Sequence, residues 1–274
     1  MTIIQAIILG IIQGLTEFVP ISSSAHLVIA QSFFGWKIPG QAAFIFDVII
    51  HLGTLIAVVI YFRNELSKII HKVVLGIIHR RPFENDWSRL GWIIILATIP
   101  AVIVGFLFRS QVQEAFSQPL YAGIFLSLTA IFLFLAEIIG HRNRHLLEVT
   151  WKDGLIIGLF QVVSLLPGIS RSGAAITGGM TRDLNRQSAA RFSFLLSIPA
   201  IIGASGLSII DLLRSPNHSI QIPALLTGFI VSAIVGYISI RWLLSFLGKH
   251  RLYIFAIYCL GLSITIIAVA LSRA

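Results

Sequence analysis

Six stretches of about twenty apolar residues, near 42–62, 90–109, 119–139, 192–213, 223–243 and 252–271, constrain this chain more than any other feature of it. Each is long enough to cross a hydrocarbon layer roughly 30 Å thick as an α-helix, and inside that layer the backbone must satisfy its own N–H and C=O groups. The fold class that follows is an all-α integral membrane protein with six transmembrane helices. Composition agrees: 57% of the 274 residues are hydrophobic and 11% are charged, against about 25% charged in a soluble domain. Two further apolar stretches, 3–13 and 153–166, are too short, and each runs into a polar segment bearing Pro and Gly. They are predicted to be re-entrant helical hairpins, within 1–35 and 153–185. Such broken backbone is tolerated in a membrane only where it faces protein or a water-filled cavity.

The formal charge of +9 would suit nucleic acid, but its distribution does not. Basic residues crowd three connections: 63–89 (Arg63, Lys68, Lys72, Arg80, Arg81, Arg89), 141–152 (Arg142, Arg144, Lys152) and 241–251 (Arg241, Lys249, Arg251). These are placed in the cytoplasm, beside anionic headgroups, and the weakly basic connections near 36–41, 110–118 and 214–222 on the other side. The first hairpin then dips in from outside and the second from inside. The segment 63–81 is partly amphipathic and reads as a helix lying on the cytoplasmic headgroups with its histidines solvated. The start "MTIIQAIILG" has no basic n-region, so no removable signal peptide is read. The single cysteine, Cys259, lies in an apolar run and is expected to be a buried, inert thiol.

The two hairpins resemble each other. "GIIQGLTEFVPISSSA" (10–25) aligns without gaps on "GLFQVVSLLPGISRSG" (158–173), pairing Gly10 with Gly158, Gln13 with Gln161, Ile21 with Ile169, Ser22 with Ser170 and Ser24 with Ser172. The same offset pairs Phe44 with Phe192 and Phe46 with Phe194, and "VIVGF" (102–106) matches "AIVGY" (233–237) at another offset. We read a duplication with a first repeat over 1–140 and a second over 153–274. Each unit holds one hairpin and three spans. An odd number of crossings makes the copies antiparallel, and inverted repeats place their broken helices face to face near the midplane.

Facing hairpins would pool Glu17, Ser22, Ser23, Ser24 and His26 with Ser170, Arg171, Ser172 and Thr177. That set suits phosphate chemistry. Arg171 offers a fork of donors matched to phosphate oxygens, and hydroxyls and half-helix N–H groups add neutral donors. Glu17 and His26 supply acid–base capacity or metal ligation, and a serine beside the histidine is a candidate nucleophile. Simpler readings stand beside these: serines that bond their own backbone or join helices, a packing role for His26, and a Glu17–Arg171 pair that is purely structural. Ionisable groups deep in a membrane cost about 2.5–3.5 kcal/mol even on lenient scales, which favours function. Asp47 and His51, spaced i, i+4, are candidates for a supporting role behind the site. There is no Walker-type loop, GxGxxG, HExxH or Cys-based metal pattern to support ATP hydrolysis or a zinc site.

At "QGLTEFVPISSSAH" and "PGISRSGAAIT" the sequence resembles the undecaprenyl-diphosphatase family of bacteria, also called the bacitracin-resistance protein family, over essentially its whole length. The resemblance implies hydrolysis of undecaprenyl diphosphate to undecaprenyl phosphate and inorganic phosphate, recycling the lipid carrier for cell-wall polymers. It implies a divalent cation, Mg²⁺ or Ca²⁺, a prenyl diphosphate as substrate, and a bacterial plasma membrane location with the site opening toward the outer face. By position, Glu17, His26 and Arg171 match the family's essential residues, Ser23 its proposed nucleophile, and Ser22, Ser24, Ser170, Ser172 and Thr177 its phosphate-contacting hydroxyls. Gln13 stands where other members carry a second glutamate, so Glu17, with Gln13, is the expected metal site and has one anionic ligand fewer. Asp47 stands where other members carry an acid in the next helix. Two routes remain open: attack by Ser23 deprotonated by His26, or water activated by His26 and Glu17. The competing reading is a transporter or flippase of an anionic or lipid-phosphate substrate, because inverted repeats with broken helices are transporter architecture. A third, the unrelated PAP2-type phosphatase, requires Lys-x6-Arg-Pro and Ser-Arg-x5-His, and both are absent. A homodimer is left open.

Overall fold

A computed structural model describes residues 1–36, 38–116, 119–213 and 222–272. The chain runs through α1 (Ile3–Thr16), α2 (Ser23–Phe33), α3 (Gly40–Tyr61), α4 (Arg63–Ile78), α5 (Asp86–Leu107), α6 (Arg109–Phe116), α7 (Pro119–Ile138), a 3-10 turn (Leu146–Glu148), α8 (Trp151–Val163), α9 (Arg171–Met180), α10 (Arg186–Leu213), α11 (Ile222–Leu247) and α12 (Tyr253–Ser272). Among the described residues the one extended pairing is an isolated bridge between Arg144 and Leu184.

Six helices have the length and hydropathy to cross a membrane: Ala42–Tyr61, Asp86–Leu107, Leu120–Ile138, Arg186–Ser208, Ile222–Leu247 and Tyr253–Ser272. They coincide with the six expected spans, and the protein is a multi-pass membrane protein. The second begins earlier than its apolar run because the Asn85 side chain caps it, accepting from the Trp87 N–H at 3.0 Å. Expected loop 110–118 is mostly the short helix α6, with 117–118 outside the described residues. In the other weakly basic connections, residue 37 and residues 214–221 also lie outside them. Basic segment 63–81 does form a helix, α4, with His71 and His79 exposed and Ile69 buried. Cys259 is buried and unpaired by disulfide, as expected.

Among the described residues α1, α2, α8 and α9, like α4 and α6, are too short to span. At 1.5 Å per residue, α1 (14 residues) and α8 (13 residues) reach only about 20 Å. Both start at a reciprocal cap: Thr2 with Gln5, and Thr150 with Asp153. Both then pack through glycine on a long helix. A Cβ on Gly10 would sit 2.9 Å from the Gly228 carbonyl oxygen, and one on Gly14 would sit 2.8 Å from the Gly236 nitrogen, so α1 lies directly on the backbone of α11. Likewise a Cβ on Gly158 would sit 2.5 Å from the Ala97 carbonyl oxygen, which fixes α8 against α5. Between apolar helices in lipid, this close approach is the main source of packing attraction.

Basic connections come together at one end of the bundle, where Arg89 donates to the Leu147 carbonyl at 3.3 Å. Glu137, its side chain fully buried, accepts from Arg186 (2.6 and 2.7 Å) and from the Leu252 N–H (2.7 Å), and pairs with Arg142. Asp153, equally buried, pairs with Arg144 (2.7 Å) and Arg182 (2.8 Å) and accepts from Thr150. Burial alone would push the Asp153 carboxyl up. The hydrogen bonds from Arg144, Thr150 and Arg182 outweigh that and hold it down at about 2, and the bond to Asp153 raises Arg144 in turn. From sequence, Arg142 and Arg144 are only topology signals; in the fold Arg142 closes onto Glu137 at the end of α7, and Arg144 ties the start of α8 to the end of α9.

Candidate active site

Pro20 ends the α1 segment, since a proline ring removes an N–H and clashes with helix continuation. Ser22 then takes φ +71°, a left-handed conformation uncommon outside glycine, and this turns the chain back into α2. Its hydroxyl caps α2, accepting from the Ala25 N–H, and lies 3.2 Å from the Ser24 hydroxyl. The second turn does the same with other residues. Gly168 takes φ +90°, where a Cβ would collide with the Ala122 carbonyl. Ser170 caps α9 by accepting from the Gly173 N–H at 3.1 Å, and its hydroxyl lies 3.1 Å from that of Ser172.

The two turns meet inside the bundle. The Ser172 hydroxyl donates to the Val19 carbonyl at 3.4 Å, and Arg171 forms an ion pair with Glu17 across 154 residues of sequence. The Glu17 carboxylate is the centre of the arrangement, with its side chain 4% exposed. One oxygen faces the Arg171 guanidinium. The other accepts from Ser23 Oγ at 2.8 Å and from Gln13 Nε2 at 2.9 Å, and lies 3.7 Å from His51 Nε2. Phe18, the next residue, makes an edge-to-face contact with Phe194, 5.3 Å between centroids, and both rings are buried. Arg171 keeps a quarter of its side chain exposed.

His26 lies beside this network rather than in it. Its Nδ1 is 2.8 Å from the Ser22 carbonyl and its Nε2 is 2.8 Å from the Tyr258 hydroxyl. A carbonyl can only accept, so Nδ1 carries the hydrogen and in the neutral ring Nε2 accepts from Tyr258. Ser23, which one of the two open routes paired with His26, donates to Glu17 in this structure. The reason is helical geometry, because a histidine at i+4 from Ser22 folds back onto the carbonyl one turn earlier. His51 does the same with Asp47, Nδ1 donating to its carbonyl at 2.6 Å, and this leaves Nε2 aimed at Glu17. Thr177 spends its hydroxyl within its own helix, donating to the Gly173 carbonyl at 2.8 Å.

Two residues with no sequence signal take part. Thr129 of α7 accepts from the Ser170 N–H at 2.9 Å and donates to the Gly168 carbonyl at 3.2 Å, so it pins the second turn. Tyr258 of α12 stacks on His26 with centroids 5.7 Å apart. Each is one of several scattered hydroxyls in an otherwise apolar span, with nothing in the sequence to single it out.

The sequence matches the family described as bacitracin resistance protein BacA over residues 6–265. It is 43% identical to the undecaprenyl-diphosphatase of Chloroherpeton thalassium over 98% of this chain and 96% of that one. It is 44% identical to that of Pelodictyon phaeoclathratiforme over 94% and 93%, and 42% identical to that of Moorella thermoacetica over 98% of both. With relatives of this identity matched almost end to end, the chain belongs to the bacitracin resistance protein BacA family.

Proposed function

We propose that this protein hydrolyses undecaprenyl diphosphate to undecaprenyl phosphate and inorganic phosphate. The observation that carries the reading is the contact of Ser23 Oγ with Glu17 at 2.8 Å beside the Arg171 guanidinium: a nucleophile, a base and a phosphate clamp at one point. Transport would need donors alone. An incoming diphosphate competes with Glu17 for Arg171. As Arg171 turns to the terminal phosphate, Glu17 takes the Ser23 proton, Ser23 Oγ bonds to that phosphorus, and the bridging P–O bond breaks, releasing undecaprenyl phosphate. The departing undecaprenyl phosphate carries off the proton that Glu17 took from Ser23; water then attacks the phosphoserine, Glu17 takes its proton and hands it to the leaving Ser23 Oγ, and inorganic phosphate is released with the serine hydroxyl restored. Ser22, Ser24, Ser170 and Ser172 line the two turns as further donors. His26, placed to one side, is suited to the leaving-group side of the reaction.

The resemblance implies a divalent cation, and the residues fit one only in part. Among the described residues no three His, Cys, Asp or Glu side chains form a cage. The buried Gln13 Oε1 lacks a hydrogen-bond partner, however, and its amide adjoins Glu17. That is the donor set of a hard cation brought in with phosphate oxygens and held by one or two protein ligands. Glu17 with Gln13 would hold Mg²⁺ or Ca²⁺, and the ion would offset charge on the diphosphate.

We also infer the inverted repeat with two re-entrant hairpins. Met1 and Trp36, at the two ends of the first hairpin, both pack on the apolar cluster that includes Ala224 at the start of α11. Asp153 and Arg182, at the two ends of the second, are bonded to each other at the basic end. Internal contacts repeat at the offsets read from the sequence. The caps Thr2/Gln5 and Thr150/Asp153, and the serine pairs 22/24 and 170/172, correspond at 148. Gly10 on Gly228 corresponds to Gly158 on Ala97 at 148 and 131. The basic end is read as cytoplasmic, in a bacterial plasma membrane, and the site as open to the outer face.

The test is phosphate release by purified protein in detergent, given undecaprenyl diphosphate with Mg²⁺ or Ca²⁺. The expected result is one phosphate per substrate, lost by more than about a hundredfold in Glu17→Ala and Arg171→Ala. No release under any metal condition overturns the reading. A labelled phosphoserine at Ser23 supports the covalent route, and near-normal turnover in Ser23→Ala removes it.

A further inference from the structure

We propose that the Tyr258 hydroxyl, and not the His26 ring, is the group that touches the phosphate remaining on the lipid, with His26 behind it as a positioning residue; this deepens the lipid-diphosphatase reading above and rests on it. Both ring nitrogens of His26 are already engaged. Its Nδ1 hydrogen is held by the Ser22 carbonyl at 2.8 Å, which leaves Nε2 as the one atom through which the ring could meet a substrate. Tyr258 occupies that atom at 2.8 Å, with the phenol stacked on the imidazole at 11° between planes. A substrate oxygen reaches Nε2 only by displacing the phenol. Tyr258 is 47% exposed, so the accessible member of the pair is the phenol.

The packing of α12 holds that phenol beside the first polar turn. The Cys259 thiol donates to the Pro20 carbonyl at 3.7 Å, and Ser263 donates to the Gly123 carbonyl of α7 at 2.7 Å. Ser23 and His26, three residues apart on α2, are neighbours on one helix face, with Cβ atoms about 5–6 Å apart. A diphosphate with its terminal phosphorus at Ser23 and its tail still in lipid carries its second phosphate on the lipid side of Ser23. The polar side chains bordering the cavity next to the turn are Thr16, His26 and Tyr258, and Thr16 spends its hydrogen on the Ile12 carbonyl at 2.7 Å. That leaves the Tyr258 hydroxyl. It has a single hydrogen, which at rest goes to Nε2. The negative charge of an arriving diphosphate favours the protonated ring, and a proton taken from solvent onto Nε2 reverses the bond. Nε2–H then donates to Tyr258 Oη, and the phenol hydrogen turns to a non-bridging oxygen of the lipid-side phosphate. No covalent bond to tyrosine forms, and the proton returns to solvent when the product leaves. Charge grows on that phosphate as the bridging P–O bond breaks, so a donor fixed there acts more strongly in the transition state than in the ground state.

Tyr258→Phe keeps the ring and removes the oxygen. With farnesyl diphosphate as substrate its kcat is expected to fall at least about tenfold while KM stays within about twofold, as for a donor used in the transition state. A kcat within about threefold of wild type refutes the proposal and leaves the diphosphatase reading intact; no hydrolysis by wild type ends that reading and this one with it. Farnesyl diphosphates with sulfur in place of either non-bridging oxygen on the lipid-side phosphorus separate contact from scaffolding. In wild type one of the two diastereomers should be slowed about tenfold against the oxygen substrate, and in Tyr258→Phe that difference should vanish. An equal sulfur effect in both proteins would make Tyr258 only a support for His26 and overturn the assignment. A 3-fluorotyrosine at position 258 changes a single atom and so does not depend on Tyr258→Phe folding. Its fluorine resonance is expected to shift when methylene-bridged farnesyl diphosphonate is added and to stay in place with farnesol. No shift, or the same shift with both, refutes contact with the phosphate.

Discussion

Neutralising one member of the Glu17–Arg171 pair should cost stability and turnover together, and neutralising both should restore only the first. Glu17 is nearly fully buried and Arg171 three-quarters buried. Removing one partner of a buried pair costs about 3–5 kcal/mol, mostly because the other charge is left uncompensated. The partial exposure of Arg171 places Arg171→Gln and Glu17→Gln near the low end, about 3 kcal/mol each. In the double variant neither charge remains, and Gln13 and Ser23 still have an amide oxygen to bond to, so the loss should fall to about 1 kcal/mol. The coupling is then roughly 5 kcal/mol of non-additivity, far beyond the few tenths expected of independent sites. Thermal unfolding in detergent should show two destabilised single variants and a double variant melting close to wild type. Phosphate release should tell the opposite story, with all three variants down by about 10²–10³ or more, as when a preorganised charge donor is removed. A double variant that regained stability and also kept above a tenth of wild-type turnover would make the pair a structural brace. Additive destabilisation would refute the buried-charge argument itself.

Three further outcomes follow from other parts of the fold. The Asp153 carboxyl, near 3.9 when unfolded and about 2 when folded, contributes about 2–3 kcal/mol that is full above pH 4 and lost as pH falls through 2; Asp153→Asn should melt lower at pH 7 and show a flatter acid limb in unfolding scans. Gly14→Val forces a side chain into the backbone of α11, where the Cβ would already lie 2.8 Å from the Gly236 nitrogen. It should lower the melting temperature and, by shifting the helix that carries Glu17, reduce phosphate release more than Gly203→Val, whose Cβ meets nothing within 4 Å. Gln13→Glu adds an anionic ligand beside Glu17, and the Mg²⁺ or Ca²⁺ concentration for half-maximal activity should fall by about an order of magnitude; an unchanged metal response would separate Gln13 from cation binding.

The chain's periodicity and length of apolar runs were enough to fix six spans, because a membrane imposes one length on every helix that crosses it and water imposes no such rule on the loops. The polar turns at 17–26 and 167–177 stood out for the same reason: Glu17 and Arg171 are costly in hydrocarbon unless something compensates them. Contacts between those turns were beyond that reading. Whether Ser23 donates to His26 or to Glu17 depends on where the imidazole can reach once Nδ1 has bonded back to the Ser22 carbonyl, and that is a matter of side-chain geometry. Tyr258 and Thr129 were silent for a related reason. A single hydroxyl in an apolar span carries no periodicity, and only the packing of α12 and α7 against the two turns gives each one a partner. Sequence thus determined which segments enter the bilayer and which charged groups had to be answered there, since both follow from the cost of solvating a residue in lipid. The tertiary fold decided which group answers which, because glycine contacts on α11 and α5 set where each short helix sits along its long neighbour and so bring a carboxylate and a guanidinium 154 residues apart into one bond.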